Sequence, residues 1–188
     1  MCEITILGID PGTTVMGFSL LRTSLRKSEL IEMNVIKMSR LPDQMSKLKF
    51  IYDATEALIE KFSPSILAIE APFFGKNPQS MIKLGRAQGV VIAACLHHGM
   101  EVFEYSPRKI KQSITGNGSS SKEQVAAMLK QIYRFDEIPK LLDATDALAV
   151  AVCHHLQNKM EQGEHKFSGW ESFLAKNKER ILLLFVVW

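Results

Sequence analysis

The chain has 188 residues, 46% of them hydrophobic and 23% charged, which fits one water-soluble globular domain with a sizeable core. Its net charge of +3 is too small to mark a nucleic-acid binder by itself, so the distribution of charge has to decide. Cys2, Cys95 and Cys153 form no CxxC pair, which argues against a disulfide framework or a zinc site and for a reducing, cytoplasmic setting; no signal peptide is read at the N-terminus, and the apolar run from Ile181 to Trp188 is too short to span a bilayer.

Residues 3–9 read as a buried strand from their β-branched content, and Asp10-Pro11-Gly12-Thr13-Thr14 as the turn that follows. Further strands are expected over about 17–22 and 30–38, with short connections that favour antiparallel hairpins. Pro42-Asp43 opens a helix with Asp43 as its N-cap. Met45, Leu48, Ile51, Tyr52, Leu58, Ile59 and Phe62 recur at helical spacing as its apolar face, and Ser63-Pro64 ends it. Ser65 to Glu70 is a short apolar strand, flanked by helices and so expected to run parallel to the first.

Phe73-Phe74-Gly75-Lys76 reads as a loop, and Asn77-Pro78 as an N-cap with proline at the first helical position. That helix is expected to run to about His98, with Gly99 as its stop. Gly85, Gly89 and Ala93 leave a smooth stripe along it, facing either the sheet or a second subunit. Val102 to Tyr105 is a fifth strand, and Gly116-Asn117-Gly118-Ser119-Ser120-Ser121 a flexible, linker-like loop. Ser120 to Glu123 matches a capping box, opening a helix with Val125, Met128, Leu129, Ile132 and Tyr133 on one face. Leu142 to about Asn158 is the last helix.

The order βββ-α-β-α-β-α-α implies an α/β fold of ribonuclease-H-like architecture, a five-stranded mixed sheet with helices on both faces. Asp10 then ends the first, central strand and Glu70 its parallel neighbour. Asp143 and Asp146 open the last helix and share one of its faces. A carboxylate at the end of a buried element costs free energy unless something pairs with it. Two carboxylates ~4 Å apart repel by about 4 kcal/mol at an effective dielectric near 20. Converging acids therefore ask for cations, divalent metal is the simplest answer, and that points to phosphate chemistry.

Gly8-Ile9-Asp10-Pro11-Gly12-Thr13, Ala68-Ile69-Glu70, Phe73-Phe74-Gly75-Lys76-Asn77 and Asp143-Ala144-Thr145-Asp146-Ala147-Leu148-Ala149-Val150-Ala151 together resemble the RuvC family of Holliday-junction resolvases. Arg108-Lys109-Ile110-Lys111-Gln112-Ser113 and the loop up to Lys122 match in order and spacing. The resemblance implies that Asp10, Glu70, Asp143 and Asp146 bind catalytic Mg2+, two ions per subunit, with Mn2+ able to substitute. It implies symmetric phosphodiester hydrolysis in a four-way DNA junction by a homodimer that works with the RuvA–RuvB branch-migration complex in recombination and repair. Lys111 and Lys122 match basic positions beside the site. Phe73 matches an aromatic that stacks on an unpaired base, and Lys76, Arg108 and Lys109 join Lys111 and Lys122 as candidate DNA contacts. Where the family often reads Gly-Gln-Ala-Arg-Gly, this chain has Gly85-Arg86-Ala87-Gln88-Gly89. The nuclease domain is expected over 1–158, and the tail 159–188 has no family match.

Other readings compete. A ribonuclease-H-like nuclease acting on RNA would share the acids, but the Phe73 loop and the Lys111/Lys122 pair argue against it. Asp10-Pro11-Gly12-Thr13 also fits the phosphate loop of the sugar-kinase/actin superfamily, whose duplicated domain is large for 188 residues. A non-catalytic junction-binding protein is disfavoured, because binding alone would select fewer acids facing DNA.

Overall fold

The computed structural model describes residues 3–24, 27–72 and 77–163. Five strands, β1 (Ile4–Asp10), β2 (Val15–Thr23), β3 (Ser28–Lys37), β4 (Ile66–Glu70) and β5 (Glu101–Tyr105), form one sheet in the order β3-β2-β1-β4-β5. β1, β2 and β3 pair antiparallel, whereas β4 runs parallel to both β1 and β5. The first strand is thus central. The mixed sheet is the one expected from the chain order.

Alternation along β1 sorts its side chains to two cores. Leu7 and Ile9, with Leu20, Leu67 and Ile69, pack under α1 (Gln44–Phe62) and α2 (Pro78–His97). Ile6, with Leu21, Ile66 and Ala68, packs under α3 (Pro107–Thr115), α4 (Lys122–Tyr133) and α5 (Asp143–Gly163). Alternation likewise sends Leu20 and Leu21 of β2 to opposite cores, and the register of β2 against β3 shifts between them, leaving Ile31 of β3 without a partner on β2. Ala147 to Cys153 in α5 are all buried, as expected of a helix that is apolar on every side.

The cap signals are met in detail. Asp43 Oδ1 accepts from Ser46 N at 2.8 Å, and Asn77 Oδ1 from Gln79 N at 3.0 Å. Three expectations differ from the structure. The capping box is Ser121 with Gln124, one residue later than Ser120 with Glu123. α3 was not anticipated; Ser106 caps it, Pro107 takes its first position, and only Ile110 and Ile114 are buried, too few apolar residues for a periodic signal. Met45 and Tyr52 in α1, and Met128 and Ile132 in α4, lie exposed rather than on the buried face. The residues up to 156 form one compact unit that contains the whole sheet. No helix among the described residues is long and apolar enough to cross a membrane.

Candidate active site

Asp10 and Glu70 end neighbouring parallel strands, one residue beyond the paired Ile9 and Ile69. By alternation both point to the face covered by α5. Asp10 lies opposite Gly17 on β2. A Cβ on Gly17 would sit 1.9 Å from the Asp143 carbonyl oxygen, and one on Gly8 would sit 2.3 Å from that of Ala147. The missing side chains let the first turns of α5 lie directly on β1 and β2. Buried Ser19 fastens the contact by donating from Oγ to Ala147 O at 3.0 Å. Two strand ends and one helix start are thereby brought to a single place.

Glu70, Asp146, Lys111 and Lys122 line one cavity of about 120 Å³, together with Pro107, Ile110, Val125 and Ala149. Lys122 donates from Nζ to Asp146 Oδ2. Burial first, then the charges of Glu70 and Asp146, push the Asp10 carboxyl up to about 8. Glu70 is raised by burial and then by Asp146, and it shares a hydrogen bond with Asp10. Asp146 is also raised, because burial outweighs the ammonium beside it. Burial works against the charge of Lys122, yet Asp146, Asp10 and Glu70 hold its ammonium above the ordinary value.

Burial and the neighbouring carboxylates thus favour the protonated form of Asp10, and the Lys122 ammonium offsets part of the remaining negative charge. Among the described residues no three His, Cys, Asp or Glu side chains stand ready-formed around one point that could hold a metal ion. Asp146 is turned onto Lys122. An all-oxygen acidic set at the mouth of a cavity is the donor chemistry of hard divalent ions, so these residues fit such a metal.

Asp143 adds negative charge to Asp10 and Asp146. The cavity does not include Arg108 or Lys109. Arg108 packs against Gly118, and Lys109 Nζ sits over the Tyr105 ring, 5.3 Å from its centroid. Phe73 and Lys76 lie outside the described residues. Sequence reasoning missed Gly8, Gly17 and Ser19, whose signal was faint: glycine inside a strand marks close backbone approach. It also missed the role of Gln88, a buried amide that donates to Glu70 O at 3.4 Å and to Glu104 Oε2 at 3.2 Å. Its place in the departing Gly85–Gly89 segment was the available hint.

Comparison with known proteins agrees with this geometry. Residues 6–154 match the family model for crossover junction endodeoxyribonuclease RuvC. The protein of that name from Cytophaga hutchinsonii is 53% identical over 178 residues, covering 94% of this chain and 87% of the relative. That from Bacteroides fragilis is 50% identical over 181 residues, covering 95% and 96%. The structure of Thermus thermophilus RuvC in complex with a Holliday junction substrate superposes with a TM-score of 0.74 at 29% identity, covering 84% of this chain and 96% of that one. With the acids on adjacent strand ends of a ribonuclease-H-like sheet, and with this match across both strands and helix, the chain belongs to the RuvC family of crossover junction endodeoxyribonucleases, a divalent-metal-dependent class of nuclease.

Proposed function

We propose that this chain resolves four-way DNA junctions in recombination and repair, by symmetric, Mg2+-dependent phosphodiester hydrolysis. The observation that carries the reading is the meeting of Asp10, Glu70 and Asp146 with Lys111 and Lys122 at one end of the sheet. Asp10, Glu70, Asp143 and Asp146 would hold two Mg2+ ions, for which Mn2+ could substitute. When bound, the metal supplies Lewis acidity at the phosphate and eases ionisation of the attacking water. Asp10, on the central strand beside Glu70 and Asp146, would be a ligand to the metal. Lys122 and Lys111 offer ammonium groups to the charge that gathers on the phosphorus oxygens. Arg108 and Lys109, outside the cavity, serve the DNA backbone together with Lys76, and Phe73 stacks on an unpaired base at the crossover.

Two symmetric cuts need two copies of the site, so a homodimer is part of the proposal. α2 offers the surface: Ile82 and Leu96 are more than half exposed, and nothing lies within 4 Å of a Cβ built on Gly85 or Gly89. A smooth stripe flanked by exposed aliphatic residues suits close helix packing against a second subunit. The setting is cytoplasmic, alongside the RuvA–RuvB complex, with the nuclease domain over 1–158 and a C-terminal tail over 159–188.

Incubation of the protein with a synthetic four-way junction and Mg2+, followed by mapping of the product ends, tests the reading. Paired nicks at symmetric positions in strands of like polarity are expected. Preferential cutting of an RNA–DNA hybrid, or tight junction binding without cleavage at any metal concentration, would overturn it.

A further inference from the structure

The loop between α3 and α4 reads as a linker in sequence, yet its polar groups are tied to one side chain. Thr115 Oγ1 donates to Lys111 O at 2.9 Å, accepts from Asn117 N at 3.2 Å and pairs with Ser120 Oγ at 2.8 Å. The hydroxyl also lies within donor reach of Asn117 O at 3.0 Å, so the Lys111 and Asn117 carbonyls share its single proton, and with Ser120 as donor both lone pairs are used. Asn117 closes the rest of the turn: its Oδ1 accepts from Ser119 N at 3.0 Å and its carbonyl from Ser120 N at 3.2 Å. Ser120 is 7% exposed, so its hydroxyl depends on this partner.

We propose that the Thr115 and Ser120 hydroxyls form a positioning clamp that sets Lys122 relative to Lys111 at the cleavage site. One end of the clamp is the carbonyl of Lys111 itself. The other is Ser120, which directly precedes the N-cap of α4, where Lys122 is the first helical residue. Ile110 and Ile114 hold the body of α3 in the core, and Val125 and Leu129 hold that of α4. These apolar contacts fix where the helices lie. The clamp fixes where α4 begins, and so where the Lys122 side chain starts toward Asp146. Gly118 adds to the same closure, since a Cβ there would lie 2.5 Å from Arg108 Cγ.

The proposal rests on the reading of Lys111 and Lys122 given above, so the experiment separates the two. Single-turnover cleavage of a four-way junction with Mg2+, junction affinity and thermal melting are measured for the full chain. Thr115→Val should cut about tenfold or more slowly, with affinity changed by less than about threefold, because a displaced cation costs rate more than binding. Thr115→Ser, which keeps the hydroxyl, should recover the rate to within about threefold of wild type. In a Lys122→Ala background, Thr115→Val should add less than about twofold, since a clamp acting through the lysine has nothing left to position. Ser120→Ala should behave like Thr115→Val, and it carries the test if Thr115→Val fails to melt cooperatively. Wild-type cleavage by Thr115→Val, or losses that multiply in the double variant, overturns the clamp alone. Wild-type cleavage by Lys122→Ala overturns the reading of the site and the clamp with it.

Discussion

Replacing Asp10 with Asn should abolish cleavage and at the same time stabilise the metal-free protein. The fold holds the Asp10 carboxyl at about 8 against an ordinary 3.8. The folded state therefore binds a proton that the unfolded chain gives up, and wild-type stability falls as pH rises from about 4 to about 8. Below that window both states are protonated and no penalty exists. At 1.36 kcal/mol per pH unit the ceiling is about 5–6 kcal/mol, and screening by water and ions leaves roughly 2–3 kcal/mol. Asn cannot ionise, so the variant lacks this slope. Thermal melts in chelator at pH 5, 6.5 and 8 would read the effect. About two thirds of that penalty accumulates between pH 5 and pH 8, so the gap in Tm between Asp10→Asn and wild type should widen by about 3–8 °C, at 2–4 °C per kcal/mol for a chain of this size. Millimolar Mg2+ should then raise the wild-type Tm at pH 8 and leave the variant nearly unmoved. A gap that stays flat with pH, or equal stabilisation of both proteins by Mg2+, would refute the reasoning from converging buried acids.

Gly17→Ala places a methyl 1.9 Å from the Asp143 carbonyl oxygen, so denaturant titration should show a loss of about 1–3 kcal/mol, and cleavage should fall as α5 is lifted from Asp10. Full activity with unchanged stability would mean that α5 does not need that contact. Gln88→Leu removes the amide that donates to the Glu70 carbonyl; about 1 kcal/mol of stability should go, with slower cleavage and unaltered junction affinity. A change in affinity alone would place Gln88 on the DNA rather than behind Glu70. Leu96→Glu puts charge on the exposed stripe of α2 and should convert dimer to monomer in sedimentation, with little change in Tm of the isolated subunit. An unaltered mass would move the dimer interface elsewhere.

Much of the fold was legible because its signals are local. Asp43, Asn77-Pro78 and the apolar runs of β1 and β4 each specify an element without reference to the rest of the chain. Where two local signals overlap, the sequence is silent. The run Ser119-Ser120-Ser121-Lys122-Glu123-Gln124 offers two capping boxes a residue apart. The choice falls to Ser121 because the Ser120 hydroxyl is engaged by Thr115. α3 escaped notice for a related reason: its two buried isoleucines acquire meaning only once α4 and the sheet lie beside them. Met45 and Tyr52 fit the helical period but fall beyond the edge of what α1 actually covers.

By itself the sequence determined that Asp10 and Glu70 end buried strands and that Asp143 and Asp146 open a buried helix, since apolar patterning and the position of a charge within it are properties of the chain. Only the tertiary structure decided how the acids live together. The glycines at 8 and 17 matter through an atom they lack, and the space that atom would fill belongs to α5, far along the chain. The raised carboxyls of Asp10 and Glu70, and the ammonium of Lys122 on Asp146, depend on through-space separations and on exclusion of water. Electrostatic energy follows those two quantities, and neither is written in residue order.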